Sequence, residues 1–239
     1  MSMKSSRTIL LAGFLTLLFT SSALGASSQA NRDDSLVFIG WTPVGLHLPA
    51  LLTRPVGLGL YLGDSWLVGF EYGRMKFEAT SSTNTGEEDD VGEDNETMSG
   101  TWSNGGAYVK WFPGNTFYMM LAAHRRSWDI DAVITVTEEG TGNPIPVRVK
   151  VESAATVGTL GIGNQWMLDF GLTIGVDWLL LSGVLSENIE SSINAVDYNA
   201  LIDPADKKEA QDDLDQLGEN LNKFSGYSGA VVLTLGFAF

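Results

Sequence analysis

The sequence predicts an all-β protein, an eight-stranded antiparallel transmembrane β-barrel with short turns at one end, long acidic loops at the other and one short helix in the last loop. Three observations lead to this prediction. Apolar residues alternate with small or polar ones along several segments, Gly-Asp and Gly-Asn pairs are followed by an aromatic residue, and long polar stretches separate these segments. Hydrophobic residues make up 44% of the 239-residue chain, yet beyond the N-terminal region no apolar run approaches the ~18 residues of a spanning helix.

The first 25 residues follow the order of a secretory signal peptide. Lys4 and Arg7 precede an apolar run from Ile9 to Phe19, and small and polar residues then lead to Ala23-Leu24-Gly25. The apolar run is short for a spanning helix, so a retained N-terminal anchor is the weaker alternative. We therefore expect residues 1–25 to be removed on export.

Charge and cysteine content exclude several classes of function. The signal segment holds two of the 14 Lys and Arg residues and no acidic residue, which leaves 12 cations against 29 Asp and Glu and a formal charge of −17. Nucleic acid is therefore an unsuitable partner, because phosphate binding needs a basic face. The chain has no cysteine, which excludes disulfides, thiolate metal sites and a lipid anchor on Cys. We expect no metal centre and no cofactor.

The last thirteen residues show the clearest strand pattern. From Tyr227 to Phe239 the odd positions are mostly large and apolar and the even positions mostly small, which is the period of a β-strand. The strand ends on an aromatic residue, Phe239, and this combination resembles the C-terminal signature of Gram-negative outer-membrane β-barrel proteins. The sequence is similar to the small, about eight-stranded members of that class, without a motif of any particular subfamily.

The resemblance implies a location in the outer membrane and contact with its lipid and with lipopolysaccharide. It also implies that the barrel-assembly machinery reads the last strand, through Phe239, Phe237, Leu235 and Leu233. Residues 26–35 would then be an N-terminal periplasmic segment and residues 36–239 the barrel, with no further domain after it. We expect a monomer.

The Gly-Asp and Gly-Asn pairs mark predicted turns, and the predicted strands flank them. Tight turns are predicted at Gly63–Trp66, Gly114–Phe117 and Gly163–Trp166, since these residues tolerate positive φ. The predicted strands are residues 36–45, 56–63, 66–79, 98–112, 116–137, 147–163, 167–183 and 225–239. Aromatic residues near the turns, including Phe112, and others further along, including Trp102 and Trp128, predict two girdles at the membrane interfaces.

Charged residues within the strands predict a polar lumen. A charge facing lipid at mid-membrane costs about 2–4 kcal/mol, so strand charges should point inward and pair. The expected lumen network is Glu71, Lys110, His124, Arg126, Asp129, Asp131, Asp169 and Asp177. Its two interpretations are a salt-bridged plug that stiffens the barrel, which the narrow interior of eight strands favours, and a narrow polar path for ions or small solutes.

Two loops carry further candidate features. The segment from Gly86 to Glu96 has seven carboxylates in eleven residues, and Glu87, Glu88, Asp89, Asp90, Glu93 and Asp94 form a possible cation-binding loop. Its spacing does not fit an EF-hand, and a solvated, self-repelling surface loop is the favoured interpretation. In the last loop, Asp203-Pro204 predicts the start of a helix that runs to about Asn222, with Leu214, Leu217 and Leu221 on its packing face.

The sequence favours a non-enzymatic surface or structural barrel over a narrow pore, and both over a lipid A-modifying enzyme. The enzyme hypothesis rests on His124 with Ser127 and the nearby Asp129 and Asp131. Because neighbouring strand residues alternate faces, His124 and Ser127 should point in opposite directions unless a bulge lies between them.

Overall fold

Eight antiparallel strands form a closed barrel in the computed structural model of the chain, which describes residues 28–47, 52–83, 94–137, 144–194 and 204–239. The strands are β1 (Val37–Leu46), β2 (Val56–Leu62), β3 (Trp66–Thr83), β4 (Asp94–Trp111), β5 (Phe117–Thr137), β6 (Pro144–Met167), β7 (Leu172–Asn194) and β8 (Ala230–Ala238). Each strand pairs with its neighbours in sequence, and β8 closes on β1. The predicted eight-stranded antiparallel barrel is confirmed.

The two ends of the barrel differ. Short turns join β2 to β3, β4 to β5 and β6 to β7 at one end, called here the turn end. The chain terminus lies there too, since the Phe239 carbonyl accepts from the Leu36 and Val37 amides at 3.0 and 2.9 Å. The longer connections lie at the opposite, loop end. Helix α1, residues 28–33, precedes β1, and helix α2 (Pro204–Ser225) lies in the last loop, where a helix is predicted.

The strands differ greatly in length. β1, β2 and β8 have 10, 7 and 9 residues, close to the ~9–11 that cross a bilayer. β3 to β7 have 18 to 24 residues. At about 3.3 Å per residue, these five continue well past the closed barrel at the loop end, where they form an open wall.

Helix α2 packs against the inner face of this wall. Gly218 lies against Ile189 of β7, where an added Cβ would come within 2.5 Å of Ile189 Cγ2. The Ser153 hydroxyl of β6 donates to the Gly218 carbonyl at 3.1 Å and lies 2.5 Å from Asn222 Oδ1. The buried side of the helix carries Gly218 and Asn222, with Leu214 and Leu221 half-buried beside them. The predicted packing face is therefore wrong for Leu217, which is exposed.

The outside of the closed barrel is an apolar belt. Large apolar side chains are exposed at alternate positions of most strands, whereas the outward positions of β4 in the closed barrel are smaller except for Trp111. The belt includes Ile39, Leu46, Leu58, Leu60, Val68, Phe70, Met119, Leu121, Leu160, Ile162, Leu179, Leu181, Leu235 and Phe237. Trp66 and Trp111 stack on each other at its turn-end margin, with ring centroids 6.2 Å apart.

The third predicted turn is wrong. Residues 163–166 lie inside β6, and the turn falls at residues 168–171, where Gly171 adopts φ +91°. Asn164 resembles a turn residue in sequence, but its side chain is buried and bonded to neighbouring strands: the amide donates to Thr116 Oγ1 at 2.9 Å, and its oxygen accepts from Trp178 Nε1 at 2.7 Å. A bulge after Ile162 accommodates this arrangement.

No helix within the described ranges is long and apolar enough to cross a membrane. The predicted signal segment 1–25 lies outside the described residues, and the predicted periplasmic segment 26–35 is described from residue 28 onward.

Candidate functional site

The lumen of the barrel is filled by side chains in layers. Next to the turn end lies an apolar and aromatic layer made of Phe38, Tyr61, Leu67, Tyr108, Phe112, Tyr118, Ala122, Met167 and Ala238. Glycines on neighbouring strands make room for the rings: an added Cβ at Gly69 or Gly163 would come within 2.5 Å of Tyr108 or 2.6 Å of Tyr118. This layer blocks the bore.

A polar layer follows toward the loop end. It contains Glu71, Lys110, His124, Arg126 and Asp177, which project inward from β3, β4, β5 and β7. His124 Nε2 lies 3.0 Å from Glu71 Oε1. The Tyr118 hydroxyl donates to Asp177, and Lys110 Nζ lies 4.3 Å from the centroid of the Tyr118 ring. Five of the eight predicted lumen residues therefore meet in one buried cluster.

The other three predicted lumen residues lie elsewhere. Asp129 and Asp131 have odd numbers in β5, whose inward positions are even, so both face outward. Asp131 accepts from Arg148 Nε at 3.0 Å on that outer face. Asp169 lies in the last short turn and accepts from Asn31 Nδ2 at 3.2 Å. The lumen prediction is wrong for these three: Asp129 and Asp131 lie on the outer face of the part of β5 that extends beyond the apolar belt, and Asp169 lies in a turn.

Arg32 of α1 closes the turn end. Its side chain is only 1% exposed. The guanidinium donates to the carbonyls of Asp64 at 2.7 Å, Asn115 at 2.6 Å and Gly114 at 3.1 Å, so it joins two turns, and it lies 4.2 Å over the Phe112 ring. Burial lowers the pKa of Arg32, while Asp64 opposes that shift. Ser28 adds a bond to the Met167 amide at 3.1 Å.

The C-terminal turn of α2 closes the loop end. Arg126, reaching up from the polar layer, donates to the Ser225 carbonyl, a favourable place for a cation at the end of a helix. Trp128 Nε1 donates to Ser225 Oγ at 3.0 Å. Trp102 and Trp128 stack with ring centroids 4.5 Å apart, and Phe224 of α2 lies 6.2 Å from Trp128.

Sequence reasoning misplaced several of these aromatic residues. Trp102, Trp128 and Phe112 were expected at the membrane interfaces, yet all three are buried inside the barrel. Even positions of β4 and β5 face the lumen, and only the strand register reveals this. Arg32 is not among the predicted lumen residues, because it lies in a short segment before β1 that shows no strand pattern.

The polar layer lines a cavity of about 60 Å³ between the aromatic layer and the loop-end closure, which has room for only a few waters. His47 and His124 line it. Within the described residues no group of three His, Asp or Glu side chains is arranged to hold a metal ion. Ser127 lies on the opposite face of β5 from His124, where its hydroxyl bonds Ser103 at 2.7 Å. His124 therefore has the Glu71 carboxylate beside it, but the Ser127 hydroxyl lies on the other face of the strand.

The remaining predicted sites are the acidic loop and the C-terminal strand. Glu87, Glu88, Asp89, Asp90 and Glu93 fall outside the described residues, and Asp94 is the first residue of β4. Leu235 and Phe237 of β8, and Phe239 just after it, are exposed on the outer face, and Leu233 is half-buried. Phe237 pairs with Ile39 of β1 and Leu172 of β7, at the seam that closes the barrel.

No family model matches the sequence, and no curated protein matches it. Among solved structures, the crystal structure of Acinetobacter baumannii CarO2 aligns with this chain at a TM-score of 0.39 and 10% identity, over 86% of this chain and 98% of that one. The chain is a closed eight-stranded antiparallel β-barrel. That conclusion rests on the strand pairing itself.

Proposed function

We propose that this chain is a non-enzymatic barrel of the outer membrane of a Gram-negative-type envelope, with a structural or surface role. The exposed apolar belt supports the membrane location, since such a surface is matched by lipid and costs free energy in water. The turn end would face the periplasm and the loop end the outside, as the short turns and long loops favour.

The filled lumen is the observation that favours a structural role over a pore. Three successive obstructions, α1 with Arg32, the aromatic layer and the Trp102–Trp128 pair under α2, lie along the bore. An eight-stranded barrel is only wide enough to be filled by side chains, and here they fill it. The polar layer is then a network of charged side chains that lies between the aromatic layer and the closure at α2.

The membrane location is tested by fractionation and heat modifiability. The mature chain should be recovered in the outer-membrane fraction and should migrate faster on gels before boiling than after, with a β-type circular dichroism spectrum. A helical spectrum in detergent, or recovery in the soluble fraction, would overturn this part of the proposal.

The structural role is tested against the narrow pore by planar bilayer recording. Purified protein should give no stable, discrete conductance. Reproducible unit steps, absent with a boiled sample, would favour the pore instead.

The lipid A-modifying enzyme is tested separately. Overexpression should leave the mass profile of lipid A unchanged, in wild type and His124→Ala alike. A new lipid A species that the His124→Ala variant abolishes would establish catalysis and remove the non-enzymatic proposal.

A further inference from the structure

A groove crosses the apolar belt on the outer face of β4, β5, β6 and β7. Its floor consists of Ala107, Ala123, Gly158 and Gly183, which are successive register partners across the four strands. Its volume is about 650 Å³, within the ~300–1,000 Å³ of small-molecule sites. Larger apolar side chains form the margin nearer the turn end, namely Val109, Leu121, Leu160 and Leu181.

The margin nearer the loop end combines the apolar side chain of Leu185, whose Cδ1 lies 3.2 Å from the place of a Cβ on Gly158, with polar residues and a cation. The next outward-facing row of register partners is Gly105, Arg125, Thr156 and Ser186. Arg125 is exposed, and none of the hydrogen bonds, ion pairs or ring contacts among the described residues involves it. Arg74 of β3 faces outward one row further along, with Nη2 3.4 Å from Thr101 Oγ1.

The height of Arg125 fits the outer membrane interface. It lies eight residues beyond Phe117, the first residue of β5. For strands tilted by roughly 40°, that is a rise of roughly 20 Å above the turn-end margin, close to the ~25 Å height of a lipid-facing band. The Arg125 guanidinium, which has no partner among the described residues, therefore lies where outer-leaflet phosphates are expected, on a chain of formal charge −15.

We propose that this groove binds the lipid A part of lipopolysaccharide, with one acyl chain along the floor of Ala107, Ala123, Gly158 and Gly183 and a phosphate on Arg125. The guanidinium offers two parallel N–H donors to a phosphate. Arg74 lies where a second phosphate of the same headgroup would pass. The inference rests on the proposed outer-membrane location, with the loop end outside.

Native mass spectrometry of the detergent-solubilised protein tests the site. The probes are bis-phosphorylated lipid A, the same lipid A without phosphates, and phosphatidylglycerol. Wild type should retain bis-phosphorylated lipid A in preference to both other probes. Arg125→Gln should bind it about tenfold more weakly, the loss of one charge-assisted contact, and Arg125→Lys should recover part of that loss.

Two further variants separate the groove from a general charge effect. Ala123→Leu fills the floor and should weaken lipid A binding while Arg125 is intact. Arg148→Gln removes the same charge from the outer face of β6, where Arg148 pairs with Asp131, and should bind as wild type. Equal binding by wild type, Arg125→Gln and Ala123→Leu, or equal retention of phosphatidylglycerol, would overturn the site.

Each variant is first checked for heat-modifiable gel mobility. A protein that shows the folded form in the outer membrane but lacks lipid A selectivity contradicts this inference alone. A protein that never reaches the outer membrane contradicts the proposed function instead.

Discussion

At the scale of single residues, the barrel interior depends on glycines that face large rings. Tyr108 lies over Gly69, where a Cβ would come within 2.5 Å of the ring and 2.8 Å of the Leu58 carbonyl. Gly183 faces outward, and nothing lies within 4 Å of a Cβ placed there. The same residue type thus has opposite tolerances on the two faces of the sheet.

We expect Gly69→Ala to lower the free energy of unfolding by about 1–3 kcal/mol, since the added methyl group must displace Tyr108 in a packed interior. Gly183→Ala is the matched control and should change it by less than about 0.5 kcal/mol. Urea titrations in lipid vesicles, followed by the heat-modifiable band, measure both. Equal effects of the two changes would contradict the packing of Tyr108 on Gly69.

The lumen charges form a second residue-scale test. Lys110 is buried, with Nζ 4.3 Å from the centroid of the Tyr118 ring, and it lines the same cavity as the carboxylates of Asp177 and Glu71. Lys110→Met should cost about 3–5 kcal/mol, because it removes the cation from a layer that holds two carboxylates. Adding Asp177→Asn should restore part of that stability, since the amide can still accept from Tyr118.

A double-mutant cycle by the same urea titration gives the interaction energy. Additive losses in Lys110→Met, Asp177→Asn and the double variant would show that the two groups are not coupled.

Predicting the site from the sequence requires knowing which alternate positions of each strand face the lumen. In β8 the alternation was unambiguous, and the outward positions of Leu235 and Phe237 follow from it. Asp129 and Asp131 of β5 are predicted to point inward because a charge that faces lipid is costly, yet both lie on the outer face where this strand extends past the apolar belt. Which residues of a long strand face inward is fixed by its pairing with neighbouring strands. The sequence of that strand alone does not contain this information.

At the scale of elements, α1 acts as a latch on the turn end. Arg32 joins two separate turns through the backbone carbonyls of Asp64, Asn115 and Gly114. A buried guanidinium with three carbonyl acceptors is satisfied without an acidic partner, so the sequence offers no charge pattern by which to predict it. In the sequence, residues 28–33 resemble an ordinary connecting segment before the first strand.

We expect Arg32→Gln to release α1 while the barrel stays folded, because the shorter neutral amide cannot bridge both turns. Limited proteolysis should then cut residues 28–35 at least tenfold faster than in wild type. Asp33→Asn changes an exposed neighbour and should keep the wild-type rate. Equally slow cleavage in Arg32→Gln would show that other contacts, such as those of Ser28, hold the helix.

Element boundaries show a related limit of sequence reasoning. The turns at Gly63 and Gly114 were placed well, but Gly163-Asn164 lies within β6. A Gly-Asn pair has turn propensity wherever it occurs, but here Asn164 donates to Thr116 and accepts from Trp178, and these tertiary hydrogen bonds replace that local preference.

At the scale of the whole molecule, the obstructions along the bore act in series. Removing one leaves the others in place, so α1 alone should not decide whether ions pass. The aromatic layer, with Tyr108 and Tyr118 each lying over a glycine of a neighbouring strand, is the obstruction that belongs to the barrel itself.

Deletion of residues 26–33 should therefore leave the protein silent in planar bilayers. The same deletion combined with Tyr108→Ala, Tyr118→Ala, Trp102→Ala and Trp128→Ala should give discrete conductance, since all three obstructions along the bore are then removed. The variant with the same four changes and α1 retained is the matched control and should conduct less. All variants must first show heat-modifiable mobility, so that silence reflects a closed bore and not a misfolded chain. Conductance from the deletion alone would make α1 the gate of a pore, because the aromatic layer would then be too open to block ions.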